Sequence, residues 1–156
     1  DETPVEVVAL AYSMEQNLGN FYRLAQGKVS DTKVIDLLAS LASIEEKHKD
    51  FLVDLYQKLE PESESRQTLE TRSSNTIMEG GFDTNLFLQQ NEKFLEAESD
   101  ILDLAMMLET QALDLYLRFA SRMNDADSET TLNKIADEEK QHLKALGNLR
   151  NQVVGN

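Results

Sequence analysis

The chain contains two histidines, His48 and His142, and each ends a Glu-x-x-His: Glu45 stands three residues before the first and Glu139 three before the second. Residues three apart share a helix face, so each pair can aim a carboxylate and an imidazole at one point. The surrounding stretches, IEEKHKD at 44–50 and ADEEKQHLK at 136–144, invite alignment on their common Glu-Glu-Lys, but the second has one more residue before its histidine. A shift of 94 places His48 on His142 and Glu45 on Glu139, whereas Glu46 lands on Lys140 and Ile44 on Glu138. Glu46, two before its histidine, points away from it. Glu138, four before His142, keeps helical register and stands as the second candidate behind Glu139.

The same shift superposes much of the remaining chain without a gap. Leu10 falls on Leu104, Ala11 on Ala105, Glu15 on Glu109, Tyr22 on Tyr116, Asp31 on Asp125, Leu38 on Leu132, Leu52 on Leu146 and Leu55 on Leu149. Glu15 and Glu109 are thus two more matched acids. Glu109 lies in an apolar stripe with Leu102, Ala105, Met106, Ala112, Leu113 and Tyr116; Glu139 lies in one with Leu132, Ile135, Ala136, Leu143 and Leu146. A carboxylate buried alone takes up a proton or finds a cation. Four at matching positions imply a shared cation, and two divalent ions would balance their charge. Oxygen and nitrogen donors without sulfur suit iron or manganese, with zinc as a further alternative. Tyr22 and Tyr116, two turns beyond Glu15 and Glu109, are expected to fill the core, with a hydrogen bond or proton to the site as the alternative. Met14, Met106 and Met107 are expected in or near the core.

Placing these residues requires four long helices. Thr3-Pro4-Val5-Glu6 reads as a helix start with a capping box, and helical spacing of apolar residues continues to about Gln26. Residues 27–31 form a short break, and a second helix carries Leu38, Leu41, Ala42, Leu52, Leu55 and Tyr56 on one face. Residues 60–84, rich in Ser, Thr and Glu with paired glycines, read as a long solvated connection. NLFLQQNEKFL suggests a short helix. A third long helix is expected over about 99–123 and a fourth over about 129–153. The expectation is one all-α domain over 1–156: a hairpin at about 4–59, a crossover at about 60–98 and a hairpin at about 99–153. In each antiparallel hairpin the lone glutamate should face its partner's Glu-x-x-His. Two hairpins joined by one long crossover is the connectivity of a ferritin-like four-helix bundle, and this donor set is the di-iron or di-manganese carboxylate pattern of such bundles.

Composition removes other classes. With no cysteine among 156 residues, disulfides, thiolate metal sites and a cysteine nucleophile are excluded. A net charge of −14 argues against binding nucleic acid. No apolar run is long enough to span a bilayer, and nothing at the start resembles a signal peptide. A cytoplasmic protein without a membrane partner is expected. Opening at Asp1 rather than methionine is compatible with a piece of a longer chain.

MEQNLGNFY followed by LASIEEKH, and LETQALDLY followed by IADEEKQH, resemble the two half-motifs of the rubrerythrin branch of the ferritin-like superfamily. The resemblance covers nearly the whole chain, least of all the crossover. It implies that Glu15, Glu45, His48, Glu109, Glu139 and His142 are ligands of two iron ions. It also implies a centre that reduces hydrogen peroxide or reacts with oxygen, as well as a homodimer, in which the crossover can exchange hairpins between subunits. Relatives oxidise and store iron, which is the alternative; a structural metal site within an interaction domain is a third. Two departures stand out. Without cysteines there is no rubredoxin domain, so electrons must come from a separate donor. The additional glutamate that rubrerythrins tend to place three residues after the third-helix ligand is here Ala112. TPVEVVALAYSMEQ, and MEGGF through LETQALDLYLRFA, also resemble the ferritin-like domain that follows a rhodanese-like domain in some bacterial proteins.

Overall fold

Thr3 cannot continue a helix backwards past its own cap. In the computed structural model, which describes residues 2–78 and 84–154, its hydroxyl accepts the Glu6 N–H at 3.3 Å. The Glu6 carboxylate accepts the Thr3 N–H at 2.7 Å, closing the expected capping box. Helix α1 runs Pro4–Gln26 and α2 Thr32–Leu59, followed by α3 Ser65–Met78 and α4 Thr84–Gln90. After a 3-10 turn at Glu92–Phe94 come α5 Glu98–Ala120 and α6 Ala126–Val154. Shifted by 94, α1 falls on α5 end to end, and the first residue of α2 falls on the first of α6. The caps repeat as well: Asp31 accepts the Lys33 N–H and Asp125 accepts the Ser128 N–H, each at 2.8 Å. That second cap starts α6 three residues earlier than its apolar stripe suggests, and α5 ends at Ala120 rather than Met123.

Helices α1 and α2 pack as one antiparallel hairpin, α5 and α6 as the other, and the hairpins meet through α1 on α5 and α2 on α6. Glu98, the first residue of α5, lies at the turn of the first hairpin and accepts the N–H groups of Ser30 and Asp31 at 2.6 and 2.8 Å. At the opposite end Lys58 of α2 reaches Asp127 of α6 at 3.6 Å. The chain therefore runs up, down, down and up, with the crossover returning along the bundle. Apolar faces fill the centre, Tyr12, Phe21, Tyr22, Leu38, Leu102, Tyr116, Leu132 and Ile135 being fully buried. Met14 and Met106 pack against this core, but Met107 is exposed on α5.

The crossover departs from the expected solvated connection. Residues 65–78 form α3, which packs on both α1 and α2. Ser65, Leu69 and Ser73, spaced one turn apart, are its buried face. Two serines let the helix approach closely, and polar ties complete the attachment: Ser65 donates to Gln57 at 2.6 Å, Tyr12 donates to Glu70 at 3.4 Å, and Arg66 pairs with Asp50. Leu88 anchors α4, which contacts α1. The part of the expected connection at 79–83, including most of the MEGGF stretch, lies outside the described residues. Among the described residues no helix is long and apolar enough to cross a membrane.

Candidate metal centre

Each long helix brings one acid to the centre of the bundle. Glu15 on α1, Glu45 on α2, Glu109 on α5 and Glu139 on α6 are all fully buried, with His48 also fully buried and His142 4% exposed. In the first hairpin His48 Nδ1 lies 3.4 Å from Glu15 and 3.0 Å from Glu45. In the second, His142 Nδ1 lies 3.2 Å from Glu109 and 3.4 Å from Glu139. The hairpins then exchange partners: His48 Nδ1 is 3.0 Å from Glu139, and His142 Nδ1 is 3.3 Å from Glu45. The structure thus brings together all six residues singled out by the repeat.

They form two overlapping groups of four. Glu15, Glu45, His48 and Glu139 offer donor atoms within 4.8 Å of one another, and so do Glu45, Glu109, Glu139 and His142. Glu45 and Glu139 belong to both. Proximity alone does not satisfy these atoms. Among the described residues, both carboxylate oxygens of Glu45 and of Glu139, one oxygen each of Glu15 and Glu109, and Nδ1 of His48 have no hydrogen-bond partner, although all are buried. Nδ1 of His48 lies within 3.0–3.4 Å of three carboxylates without hydrogen-bond geometry to any of them. The lone pairs converge instead of pairing. Unpaired buried polar groups are costly, and a dication for each group of four would satisfy them together. Four carboxylates and two imidazoles without sulfur fit iron or manganese, and the site could hold such an ion.

Proton affinities of the metal-free chain show the same strain. Burial pushes the Glu45 carboxyl well above its usual range, and the neighbouring Glu15 charge adds to the effect. Glu139 is pushed up to about 8 by burial and then by Glu15. Burial acts to lower both imidazoles, yet the carboxylates prevail. His142 is raised to about 12 by Glu109, Glu139 and Glu45, and His48 rises at least as strongly through Glu139, Glu15 and Glu45. Glu109 stays low despite burial because the neighbouring Glu139 carboxyl and His142 imidazole both favour its charged form.

Tyr22 and Tyr116 do more than fill the core. Tyr22 of α1 donates its hydroxyl to Glu109 of α5, and Tyr116 of α5 donates to Glu15 of α1. Each tyrosine serves the lone glutamate of the opposite hairpin, and burial together with that carboxylate raises its hydroxyl well above the ordinary value. Glu46 faces outward as its register demands, pairing with Arg23 at 3.0 Å and Lys49 at 3.1 Å. Glu138 takes a place that sequence reasoning missed. It stands outside both groups of four and meets Nε2 of His48 at 2.7 Å, with its own side chain 42% exposed. The one signal for it was the packing of α2 against α6: if Glu139 faces His48, its neighbour can reach the outer edge of that ring.

A family model described as the ferritin-like domain matches residues 3–152. A search of curated proteins returns no match. Among solved structures, a hypothetical protein from Pyrococcus furiosus is similar with a TM-score of 0.73 and 19% sequence identity, over 99% of this chain and 92% of that one. At that identity the likeness shows the fold alone.

Proposed function

The chain belongs to the ferritin-like domain family, and from that premise we propose that it is a di-iron carboxylate oxidoreductase of rubrerythrin type. It would reduce hydrogen peroxide, or react with oxygen, using electrons from a separate donor. The observation that carries this reading is the pair of four-residue groups sharing Glu45 and Glu139, with buried donor atoms left unpaired. Glu15 and His48 would complete one ion position, Glu109 and His142 the other, and Glu45 and Glu139 would serve both. When bound, two ferrous ions would supply one electron each, so that peroxide and two protons become two waters.

The protein's own part is to hold and exclude. Tyr22 and Tyr116 each donate to one oxygen of a lone glutamate, whose other oxygen is left unpaired. Packing by Leu102, Ala105, Leu132, Ile135 and Ala136, all buried, keeps bulk water from the cluster. Ala112, one turn beyond Glu109, is buried and offers no seventh donor, so we read the centre as one without ligand exchange at that position. The absence of cysteine leaves the electron donor outside this chain.

The test is metal analysis of protein from iron-supplemented cells, followed by peroxide consumption by the reduced protein with an added reductant. Two irons per chain and turnover are expected. Uptake and oxidation of Fe(II) without peroxide turnover would favour iron storage instead. Less than one metal per chain after reconstitution, with Glu45→Ala and Glu139→Ala equally inert, would remove the site altogether.

A further inference from the structure

The two imidazoles of the cluster are held differently. The His48 ring lies between two others, stacked on His142 with centroids 5.6 Å apart and 18° between planes, and packed near Phe51 at 6.3 Å. Stacking fixes the plane of the ring but not which edge faces the carboxylates, since a half-turn about its bond would exchange a nitrogen for a carbon. Glu138 decides that choice. An ionised carboxylate only accepts, so the 2.7 Å contact takes an N–H at Nε2 and leaves Nδ1 as the ring nitrogen facing Glu15, Glu45 and Glu139, where an ion would replace any proton. Among the described residues His142 has no such partner: its Nε2 is buried and unbonded. The residue that corresponds to Glu138 under the internal repeat is Ile44, which has no acceptor in its side chain.

We infer that Glu138 is a positioning residue for His48, and that it makes the two ion positions unequal, the one with Glu15 and His48 filling before the one with Glu109 and His142. The inference rests on the metal-centre reading above. A carboxylate on the far nitrogen orients the imidazole before an ion arrives and makes it the more basic ligand, and removing such a partner commonly costs about 10- to 100-fold in metal affinity. The second position has a ring held only by its stacking and by Glu109 on the inner nitrogen, with no carboxylate behind it among the described residues.

The metal-free chain is titrated with Co(II), followed by its absorption bands and by calorimetry, alongside Glu138→Ala and Glu138→Gln. Glu138 is partly exposed, and unchanged circular dichroism checks that the variants fold. The unaltered chain is expected to bind in two resolved steps, with the tighter one weakened about 10- to 100-fold in Glu138→Ala and partly restored in Glu138→Gln, whose amide oxygen still accepts. Nitrogen-15 spectra at one equivalent of Zn(II) are expected to show the metal at His48 Nδ1, with a slowly exchanging proton on His48 Nε2 that Glu138→Ala loses. Two equal steps, filling at His142 first, or constants untouched by Glu138→Ala would overturn this inference while leaving the metal centre standing. No binding by the unaltered chain would overturn both.

Discussion

The two hairpins are built to one plan and finished differently. Both bring a lone glutamate, a Glu-x-x-His and a tyrosine to the same centre, at positions 94 apart. Yet the first hairpin is overlaid by α3 and touched by α4, and its histidine is held from behind by a carboxylate of the second. Among the described residues the second hairpin's histidine has no hydrogen-bond partner on its outer nitrogen. Where the repeat is kept, in the donors and the tyrosines, the chemistry needs both copies. Where it is lost, at Ile44 against Glu138, the two groups of donors are free to differ.

Removing a shared donor should have the largest effect and the most symmetrical one. Glu45→Ala and Glu139→Ala each strip a carboxylate from both groups of four, so both should fall from two metals to at most one per chain. Glu15→Ala and Glu109→Ala each spoil a single group and should retain one ion, with unequal affinities; metal analysis after reconstitution distinguishes the four. Metal removal comes next. Without metal, the folded chain keeps protons on Glu139 up to about pH 8 and on His142 up to about 12, against ordinary values of 4.5 and 6.5. Because these folded-state values are raised, the stability they contribute is present at low pH and lost as pH rises. The melting temperature of the metal-free protein should therefore fall from pH 6.5 to about 8, whereas the stabilisation by Zn(II), which displaces those protons, should grow over the same range. Differential scanning calorimetry at both pH values checks the crossing trends.

Smaller changes probe the cover and the cross-links. Leu69→Ala removes the deepest anchor of α3 and should cost about 2–3 kcal/mol in urea unfolding, with metal content unchanged, because α3 belongs to the part of the plan the second hairpin lacks. Tyr22→Phe and Tyr116→Phe each delete a hydrogen bond to a buried carboxylate and should cost about 1.5–3 kcal/mol in the metal-loaded protein. A clear inequality between them would show that the asymmetry reaches past the histidines. Glu46→Ala breaks an exposed pair with Arg23 and one with the buried Lys49, which still donates to Gln16, and should change stability by about 1 kcal/mol, with no effect on metal, which tests the register of Glu45 against its neighbour.

The bundle and its six donors were legible because periodicity and repetition point the same way. Apolar spacing marked four helices, and alignment on the histidines separated Glu45 and Glu139 from Glu46 and Glu138. The helix α3 was not legible, since Ser65, Leu69 and Ser73 form a face too weakly apolar to stand out, and its ties to Gln57, Tyr12 and Asp50 are polar. The tyrosines' targets were hidden for a different reason. Spacing placed Tyr22 on the face of Glu15, but its hydroxyl serves Glu109, 87 residues away. The task of Glu138 lay 90 residues distant, on His48, where helical register within α6 carries no information.

The exchange of donors between hairpins bears on how fast such a site can empty. Neither group of four is complete within one hairpin: the first borrows Glu139, and the second borrows Glu45. A hairpin alone therefore offers three donors, and the full clasp closes only when both halves dock. Release of an ion would be tied to the parting of the halves, a motion that must also break the Tyr22–Glu109 and Tyr116–Glu15 links. Residence time at the centre would then be set by the breathing of the bundle rather than by the strength of any single bond to the ion.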